Sequence, residues 1–387
     1  MVEMKSEFIT AGKIIFGLNQ IIQFPKLVED WGKRAFLVRG KSRAHGDHFY
    51  QLLSQMDLEV TEFSVNHEPE IETIVEAVQL ARENHCEFVI GFGGGSVIDT
   101  GKAVAAMLSN GGDLLDYLEV VGKGQPLQNN SKPYIAIPTT AGTGSEVTKN
   151  AVVSVPDKHV KVSMRNNFML PDIALVDPQF TIGLPKDVTA TSGMDAFIQV
   201  VEPYVCNSPN AMVDMFCRDA IARAGKSLPR VIENGGDEEA RTNMSWVSLM
   251  GGLSLANAKL GAVHGFAGPI GGMFDAPHGA VCAALMPAVM RVNSELLKDR
   301  VENENISNRY LEVAQWVTGR ENASIEEGVR WFENLNAKLE IKSLRSFGIE
   351  RENFAQIVEK AGHSSSMKGN PVDLTFEDMN RMLELAF

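Results

Sequence analysis

The spacing of apolar residues changes near residue 184 and divides the chain into two parts. In the first part, short apolar runs alternate with segments whose apolar residues recur at helical spacing, a pattern typical of βαβ units and of a mostly parallel sheet. The pattern predicts strands at residues 35–38, 58–63, 88–90, 134–137, 151–154, 160–163 and 173–176, and helices at residues 71–82 and 97–107. We therefore predict an α/β domain over residues 1–184.

In the second part, strand signals almost disappear and amphipathic helical segments follow one another. The predicted helices cover residues 188–205, 211–231, 237–259, 280–297, 307–317, 324–339, 351–359 and 375–385. We predict an all-helical domain over residues 185–387.

A glycine-rich turn, GFGGGS at residues 91–96, joins a buried strand of the first part to the helix that follows. Glycine lets the backbone approach a ligand without a Cβ in the way, and the free N–H groups of a helix start favour a phosphate. Two features depart from the usual G-x-G-x-x-G pattern, because Ser96 replaces the third glycine and no acidic residue follows a second strand about 20 positions later. We interpret the turn as a pyrophosphate cradle. A tight strand–helix turn without a ligand is the alternative.

A second polar loop, TTAGTGSE at residues 139–146, follows another predicted strand. Its threonines, serine and glycines offer hydroxyl groups and backbone donors that suit a phosphate or a ribose. Because the carboxyl ends of parallel strands meet at one edge of a sheet, we expect this loop to lie beside the glycine-rich turn. An ordinary polar turn is the alternative.

Candidates for a metal site lie in the helical part. Asp195 and Gln199 are four positions apart and share a helix face, which Glu202 continues, so these groups need a buried partner. His264 and His278 are surrounded by glycine, alanine and proline, and the prolines and glycines between them predict two separate elements joined by a turn. Imidazole is the commonest metal ligand and a carboxylate would complement it. Ordinary helix–helix hydrogen bonds and satisfied core histidines are the alternatives.

Composition and charge restrict the partners. The net charge of −13 argues against nucleic acid and against anionic membrane surfaces, and we find neither an apolar signal-peptide core nor an apolar run long enough to span a bilayer. The four cysteines are scattered without a CxxC pair, which favours free thiols in a reducing compartment. We therefore expect a cytoplasmic protein. His45 and His48 lie in a charged segment and are expected to be solvated.

Taken together, these motifs resemble the iron-containing (group III) alcohol dehydrogenase family over essentially the whole chain. The matching segments are residues 93–102, 138–146, 175–178, 193–196, 264–265 and 277–279. The resemblance implies a Rossmann-like dinucleotide-binding α/β domain followed by an all-α domain, the architecture that dehydroquinate synthase shares. It also implies NAD(P)(H), a divalent metal in the interdomain cleft (commonly Fe(II), sometimes zinc) and a homodimer or higher homo-oligomer.

The resemblance also assigns roles to individual residues. It implies that the nucleotide contacts Gly40, Gly94, Gly95, Ser96, Asp99, Thr139, Thr140, Thr143, Ser145 and Lys161. It implies catalytic roles for Asp195, His264 and His278, which with position 199 form the metal-ligand set.

The chain departs from the family pattern at two positions of this metal site. Gln199 stands where the family has a ligand histidine, and Gly268 stands where many members have another active-site histidine. An amide oxygen is a weaker ligand for iron or zinc than imidazole. A metal-independent reductase that holds its substrate by hydrogen bonds is therefore an alternative.

A third departure concerns the choice of nucleotide. The family often has an acidic residue at the end of the first Rossmann-like strand, where this chain has Gly40, flanked by Arg39, Lys41 and Arg43. We expect NADP(H) to be accepted, because no carboxylate repels a 2′-phosphate there. Solvated cations and NAD binding are the alternative.

The resulting prediction is an oxidoreductase that transfers hydride between NAD(P)(H) and a small alcohol, aldehyde or ketone. A dehydroquinate synthase-like lyase is an alternative, but it would need a basic cluster for a phosphorylated, carboxylated substrate. The residues around His264 and His278 are instead glycine, alanine, phenylalanine and methionine, which favours a small uncharged substrate. A non-catalytic binding or assembly protein is the third possibility.

Overall fold

A computed structural model describes residues 7–43, 46–158, 160–274, 276–300 and 304–387. The chain divides into two compact units, one formed by Thr10–Leu184 and one by Pro185–Phe387 together with the described residues up to Ile9. The first unit carries the strands and the second is helical, so the predicted fold class is confirmed.

A six-stranded parallel sheet forms the centre of the first unit, in the order β1-β8-β5-β4-β2-β3. The strands along the chain are β1 (Lys13–Phe16), β2 (Arg34–Gly40), β3 (Glu59–Val65), β4 (Phe88–Gly93), β5 (Tyr134–Pro138), β6 (Asn150–Val155), β7 (Val160–Arg165) and β8 (Ile173–Val176). Strands β6 and β7 were both predicted from the sequence, but they do not join the six-stranded parallel sheet. They form a separate antiparallel pair, because the short turn that begins at Pro156 can only reverse the chain. The edge strand β1 was not predicted.

Helices cover both faces of the six-stranded sheet, and its strand residues alternate between two cores. In β2, Phe36 and Val38 join the core beneath α3 and α4, whereas Ala35 and Leu37 join the core on the opposite face. The helices of this unit are α1 (Phe24–Leu27), α2 (Asp47–Ser54), α3 (Ile71–Glu83), α4 (Gly95–Ser109) and α5 (Leu114–Tyr117). His48 lies exposed on α2 rather than in a loop, and His45 lies outside the described residues.

The second unit consists of packed helices. They are α6 (Lys186–Val205), α7 (Ala211–Glu233), α8 (Glu238–Asn257), α9 (Ala262–Phe274), α10 (His278–Arg300), α11 (Glu304–Thr318), α12 (Ile325–Lys338), α13 (Phe354–Gly362) and α14 (Phe376–Ala386). His264 and His278 lie on separate helices, as expected, but α9 was not predicted because it continues through Pro269. Among the described residues, only α10 has the length and composition to cross a membrane, and 78% of its apolar window is buried inside the structure, as in a core helix.

Candidate functional site

The carboxyl ends of β4 and β5 bring the two predicted nucleotide loops together. Gly93 pairs with Pro138 in the sheet, and the Thr139 backbone N–H donates to the Gly93 carbonyl at 2.9 Å. Gly94 is the residue before α4, so the free N–H groups of this helix open onto the turn. The expectation that both loops lie at one sheet edge is confirmed.

Two glycines of the cradle, Gly94 and Gly95, each lie against a threonine of the second loop. A Cβ at Gly94 would stand 3.4 Å from the side chain of Thr140, and one at Gly95 would stand 2.7 Å from Thr143. Glycine at position 95 is therefore required by the packing of the protein itself, whereas Gly94 has room for a small side chain. Ser96 lies in the first turn of α4.

A buried ionic network ties α4 to the second loop. The Asp99 carboxylate accepts hydrogen bonds from the Ser145 hydroxyl and from the Val152 N–H at 2.9 Å, and it pairs with Lys102 at 2.9 Å. The Lys102 ammonium also donates to the Ser145 carbonyl at 3.0 Å. Both Asp99 and Ser145 thus have intramolecular partners, and their roles as nucleotide ligands stay predictions. Burial raises the pKa of the neighbouring Glu146 to about 7.

The end of β2 carries a mixed set of charges. Arg39 donates a hydrogen bond to the Glu62 carboxylate at 2.8 Å, and Arg43 donates one at 2.6 Å. One carboxylate therefore pairs with two guanidinium groups, and the three side chains together keep a net positive charge. A Cβ at Gly40 would meet no atom within 4 Å. Lys161, by contrast, lies on β7, where its ammonium pairs with Glu68 at 2.5 Å.

The helical unit brings the predicted metal ligands together. Asp195 lies on α6, His264 on the first turns of α9 and His278 at the start of α10. The Asp195 Oδ1 atom lies 3.4 Å from His264 Nε2 and 3.6 Å from His278 Nε2. The candidate ligand atoms of these residues and of Cys282 all lie within 4.8 Å of one another.

These separations suit a shared cation. Nitrogen and oxygen ligands bind zinc at about 2.0–2.2 Å in a tetrahedron, which places neighbouring ligand atoms about 3.3–3.6 Å apart. Three buried atoms of the site, Asp195 Oδ1, Gln199 Oε1 and His264 Nε2, have no hydrogen-bond partner among the described residues. Buried polar atoms are costly when unpaired, so the residues fit a bound metal ion.

Glu202 supplies the partner of the other imidazole nitrogen. Its carboxylate lies 2.5 Å from His264 Nδ1 and also accepts the backbone N–H of Val263 at 2.7 Å. A carboxylate at Nδ1 keeps the hydrogen on that nitrogen and directs Nε2 toward the cluster, which is a common arrangement around metal-binding histidines. Glu202 was noticed in the sequence only as a continuation of the Asp195 face.

The charges of the cluster stabilise the ionised form of its carboxylate. Burial raises the pKa of Asp195, but the positive charges of His278 and His264 and the nearby polar groups of His264 and Gln199 outweigh this effect and hold the pKa below its usual value. Burial lowers the pKa of His264, whereas the carboxylates of Glu202 and Asp195 raise it to about 10. A cation would therefore displace a proton from His264 Nε2.

The structure adds one residue to the cluster and leaves space at another position. Cys282 lies four residues after His278 on the same face of α10, and the sequence analysis did not select it as a ligand. Burial, followed by the negative charge of Asp195, raises the pKa of its thiol. A Cβ at Gly268 on α9 would meet no atom within 4 Å, so the position that lacks the family histidine accepts the first atom of a side chain without a clash.

Comparison with known proteins extends these observations. Residues 11–178 match the family described as iron-containing alcohol dehydrogenase, and residues 189–387 match the C-terminal part of the Fe-containing alcohol dehydrogenase family. The chain is 31% identical to alcohol dehydrogenase 4 of Saccharomyces cerevisiae over 343 residues, which covers 87% of this chain and 86% of that protein. It is 32% identical to 1,3-propanediol dehydrogenase of Klebsiella pneumoniae over 367 residues, 92% of each chain.

Solved structures agree with the sequence matches. The crystal structure of a 1,3-propanediol oxidoreductase superposes with a TM-score of 0.90 at 28% identity and covers 99% of this chain and 100% of that one. An alcohol dehydrogenase from Oenococcus oeni gives a TM-score of 0.89 at 29% identity, covering 99% and 100% of the two chains. The chain therefore belongs to the iron-containing alcohol dehydrogenase family and is an oxidoreductase that acts with a nicotinamide nucleotide.

Proposed function

We propose that this enzyme transfers hydride between NADP(H) and a small uncharged alcohol or aldehyde, with a divalent metal ion held by Asp195, His264 and His278. The observation that carries the proposal is the set of facing ligand atoms, of which Asp195 Oδ1 and His264 Nε2 are buried and lack a hydrogen-bond partner among the described residues. One carboxylate and two imidazoles form a donor set that suits Fe(II) and zinc alike.

Each residue of the metal cluster has a distinct task in this proposal. Asp195 contributes negative charge, and its lowered pKa keeps it ionised at neutral pH. His264 directs Nε2 into the site because Glu202 holds Nδ1. A bound divalent cation supplies Lewis-acid chemistry there, since it polarises a substrate oxygen and stabilises developing negative charge. The residues around the two histidines are glycine, alanine, phenylalanine and methionine, which favour a substrate without charge.

The glycine-rich turn is the proposed pyrophosphate site. The backbone N–H groups at the start of α4 are suited to the two phosphates, and Gly94 leaves the approach free of a side chain. Thr139, Thr140 and Thr143 follow β5 at the same sheet edge and offer hydroxyl groups. The nicotinamide ring supplies or accepts the hydride.

The preference for NADP(H) over NAD(H) is supported by the end of β2. Gly40 places no carboxylate where a 2′-phosphate would lie, and Arg39 and Arg43 together outnumber the single acid Glu62. Arg43 is half exposed, with 54% of its side chain accessible, so a phosphate in solution can reach its guanidinium group. Guanidinium groups bind phosphate through paired, charge-assisted hydrogen bonds.

The direct test follows the hydride itself. Purified enzyme is given NADPH with deuterium at the transferred position and a panel of propanal, butanal and succinic semialdehyde, and the alcohols formed are analysed by mass spectrometry. We expect one deuterium in each product and faster reduction of the two uncharged aldehydes. Failure to reduce any carbonyl compound would contradict the proposal.

A variant pair connects this activity to the metal cluster. His264→Ala should lower turnover at least about 100-fold, because Lewis-acid stabilisation is worth several kcal/mol. His363→Ala, which removes an exposed histidine of the same unit, serves as the control and should leave turnover unchanged. Equal rates in the two variants would show that His264 holds nothing essential.

A further inference from the structure

Cys282 is the one residue of the cluster that the proposed function does not use. Its Sγ atom belongs to the group of ligand atoms that lie within 4.8 Å of one another, and the residue is fully buried. We infer that the Cys282 thiolate is the fourth protein ligand of the metal ion and takes the place that Gln199 leaves. This inference rests on the proposed function, since it names a further ligand of the same site.

The geometry of α10 supports direct coordination. Cys282 follows His278 by one helical turn, so both side chains project from the same face. The Cys282 Sγ atom lies 3.6 Å from His278 Nε2. Zinc binds sulfur at about 2.3 Å and imidazole nitrogen at about 2.0–2.1 Å, which in a tetrahedron separates the two atoms by about 3.5 Å. The two side chains therefore have the spacing of ligands that share one ion.

The environment of Cys282 differs from that of the other cysteines. The remaining cysteines (Cys86, Cys206 and Cys217) are buried as well, but among the described residues the only group of potential metal ligands includes Cys282. Cys217 lies on α7 and contacts the hydroxyl of Ser254 at 3.4 Å. A buried thiol in an apolar core needs no partner, whereas Cys282 lies beside the imidazole of His278, whose Nε2 atom is also 3.6 Å from the Asp195 carboxylate.

The chemistry of the donor set indicates which ion is bound. Gln199 offers a neutral amide oxygen, a weak ligand for late divalent metals. A thiolate is a soft, charged ligand, and a set of one carboxylate, two imidazoles and one thiolate favours a thiophilic divalent cation such as zinc. The sequence comparison with the family would by itself have favoured iron.

X-ray absorption on the wild-type enzyme loaded with one equivalent of Zn²⁺ tests the assignment. We expect one sulfur neighbour at about 2.3 Å together with nitrogen or oxygen neighbours at about 2.0–2.2 Å. Loading with Co²⁺ should also produce a thiolate-to-cobalt charge-transfer absorption in the near ultraviolet. Neither measurement depends on turnover or on the folding of a variant.

Two cysteine variants sharpen the result. Cys282→Ser should abolish the sulfur neighbour and the charge-transfer absorption, and it should weaken zinc binding by at least the roughly 10–100-fold seen when an outer-shell partner is removed. Cys217→Ser is the matched control and should keep both signals. Metal bound only through nitrogen and oxygen in the wild type would overturn the inference while leaving the proposed function intact. Failure of the wild type to bind a divalent metal at all would overturn both.

Discussion

Replacing Gly40 by aspartate tests how the enzyme selects its nucleotide. The position accepts a side chain without strain, because a Cβ there meets no atom within 4 Å and the residue lies in regular strand β2. Its neighbours Arg39 and Arg43 already share Glu62. A second carboxylate would both neutralise the remaining positive charge and repel a 2′-phosphate.

The size of the effect follows from the exposure of the site. Arg43 and Glu62 have 54% and 30% of their side chains accessible, so solvent screens the charges and the effective dielectric constant is high. A carboxylate about 6 Å from a phosphate of charge about −1.5 to −2, at an effective dielectric constant of about 40–80, costs about 1–2.8 kcal/mol. This repulsion corresponds to a loss of about 5- to 100-fold in kcat/KM for NADPH. A hydrogen bond from the ribose to the introduced carboxylate should at the same time improve the use of NADH.

The assay is the ratio of kcat/KM for NADPH to that for NADH, measured with one aldehyde in wild type, Gly40→Asp and Gly40→Asn. The asparagine variant has the same shape without the charge and should change the ratio by less than about threefold, since surface substitutions without charge effects cost little. An equal change in both variants would show that shape rather than charge is responsible. A hundredfold preference of the wild type for NADH would refute the reasoning altogether.

Three further predictions concern the cradle, a buried acid and the space on α9. Gly94→Val should lower nucleotide affinity at least about tenfold in a fluorescence titration, because the added side chain blocks the approach of the phosphates. The control is Gly111→Val, whose Cβ meets no atom within 4 Å, and this variant should bind the nucleotide normally. The pKa of Glu146 is about 7 in the folded protein, compared with 4.5 for an ordinary glutamate. Its burial therefore lowers the free energy of unfolding progressively as the pH rises from 4.5 to about 7, by about 3 kcal/mol once the group is fully ionised. Glu146→Gln should therefore gain stability over the wild type between pH 5 and pH 8 in urea unfolding, and a pH-independent difference would refute the assignment. Gly268→His places a histidine one turn after His264; the variant should fold normally and add an ionisation near pH 6–7 to the pH profile of kcat. An unchanged pH profile would exclude a proton-transfer role at this position.

Much of the fold could be predicted because the pattern of apolar residues was strong where the elements are buried. Strand β4 is buried at every position, and the amphipathic helices such as α7 carried a regular apolar face. The elements that were not predicted, β1 and α9, have a weak apolar pattern or an unfavourable residue inside them. Strand β1 has four residues and none of them is fully buried, and α9 runs through Pro269, which ordinarily ends a helix.

The candidate site was predictable in part. Asp195, His264 and His278 could be selected by residue type and surroundings, and the structure brings them together. Cys282 could not be selected, because a single cysteine on an apolar helix has the same pattern as a core residue. The pairing of Arg39 and Arg43 with Glu62 was also invisible, since it joins β2 to β3 through the register of the sheet. Contacts of this kind depend on strand order, which the sequence pattern does not encode.

The dependence of hydride transfer on the metal tests the proposed function most directly. The enzyme is stripped of metal by chelation, its content is checked by mass spectrometry, and NADPH oxidation with propanal is followed before and after one equivalent of Zn²⁺ or Fe²⁺ is added. We expect the stripped enzyme to lose at least about 99% of its rate and to recover it with the metal, because Lewis-acid stabilisation contributes several kcal/mol to the barrier. A stripped enzyme that keeps its full rate and does not respond to either ion would contradict the metal-assisted mechanism.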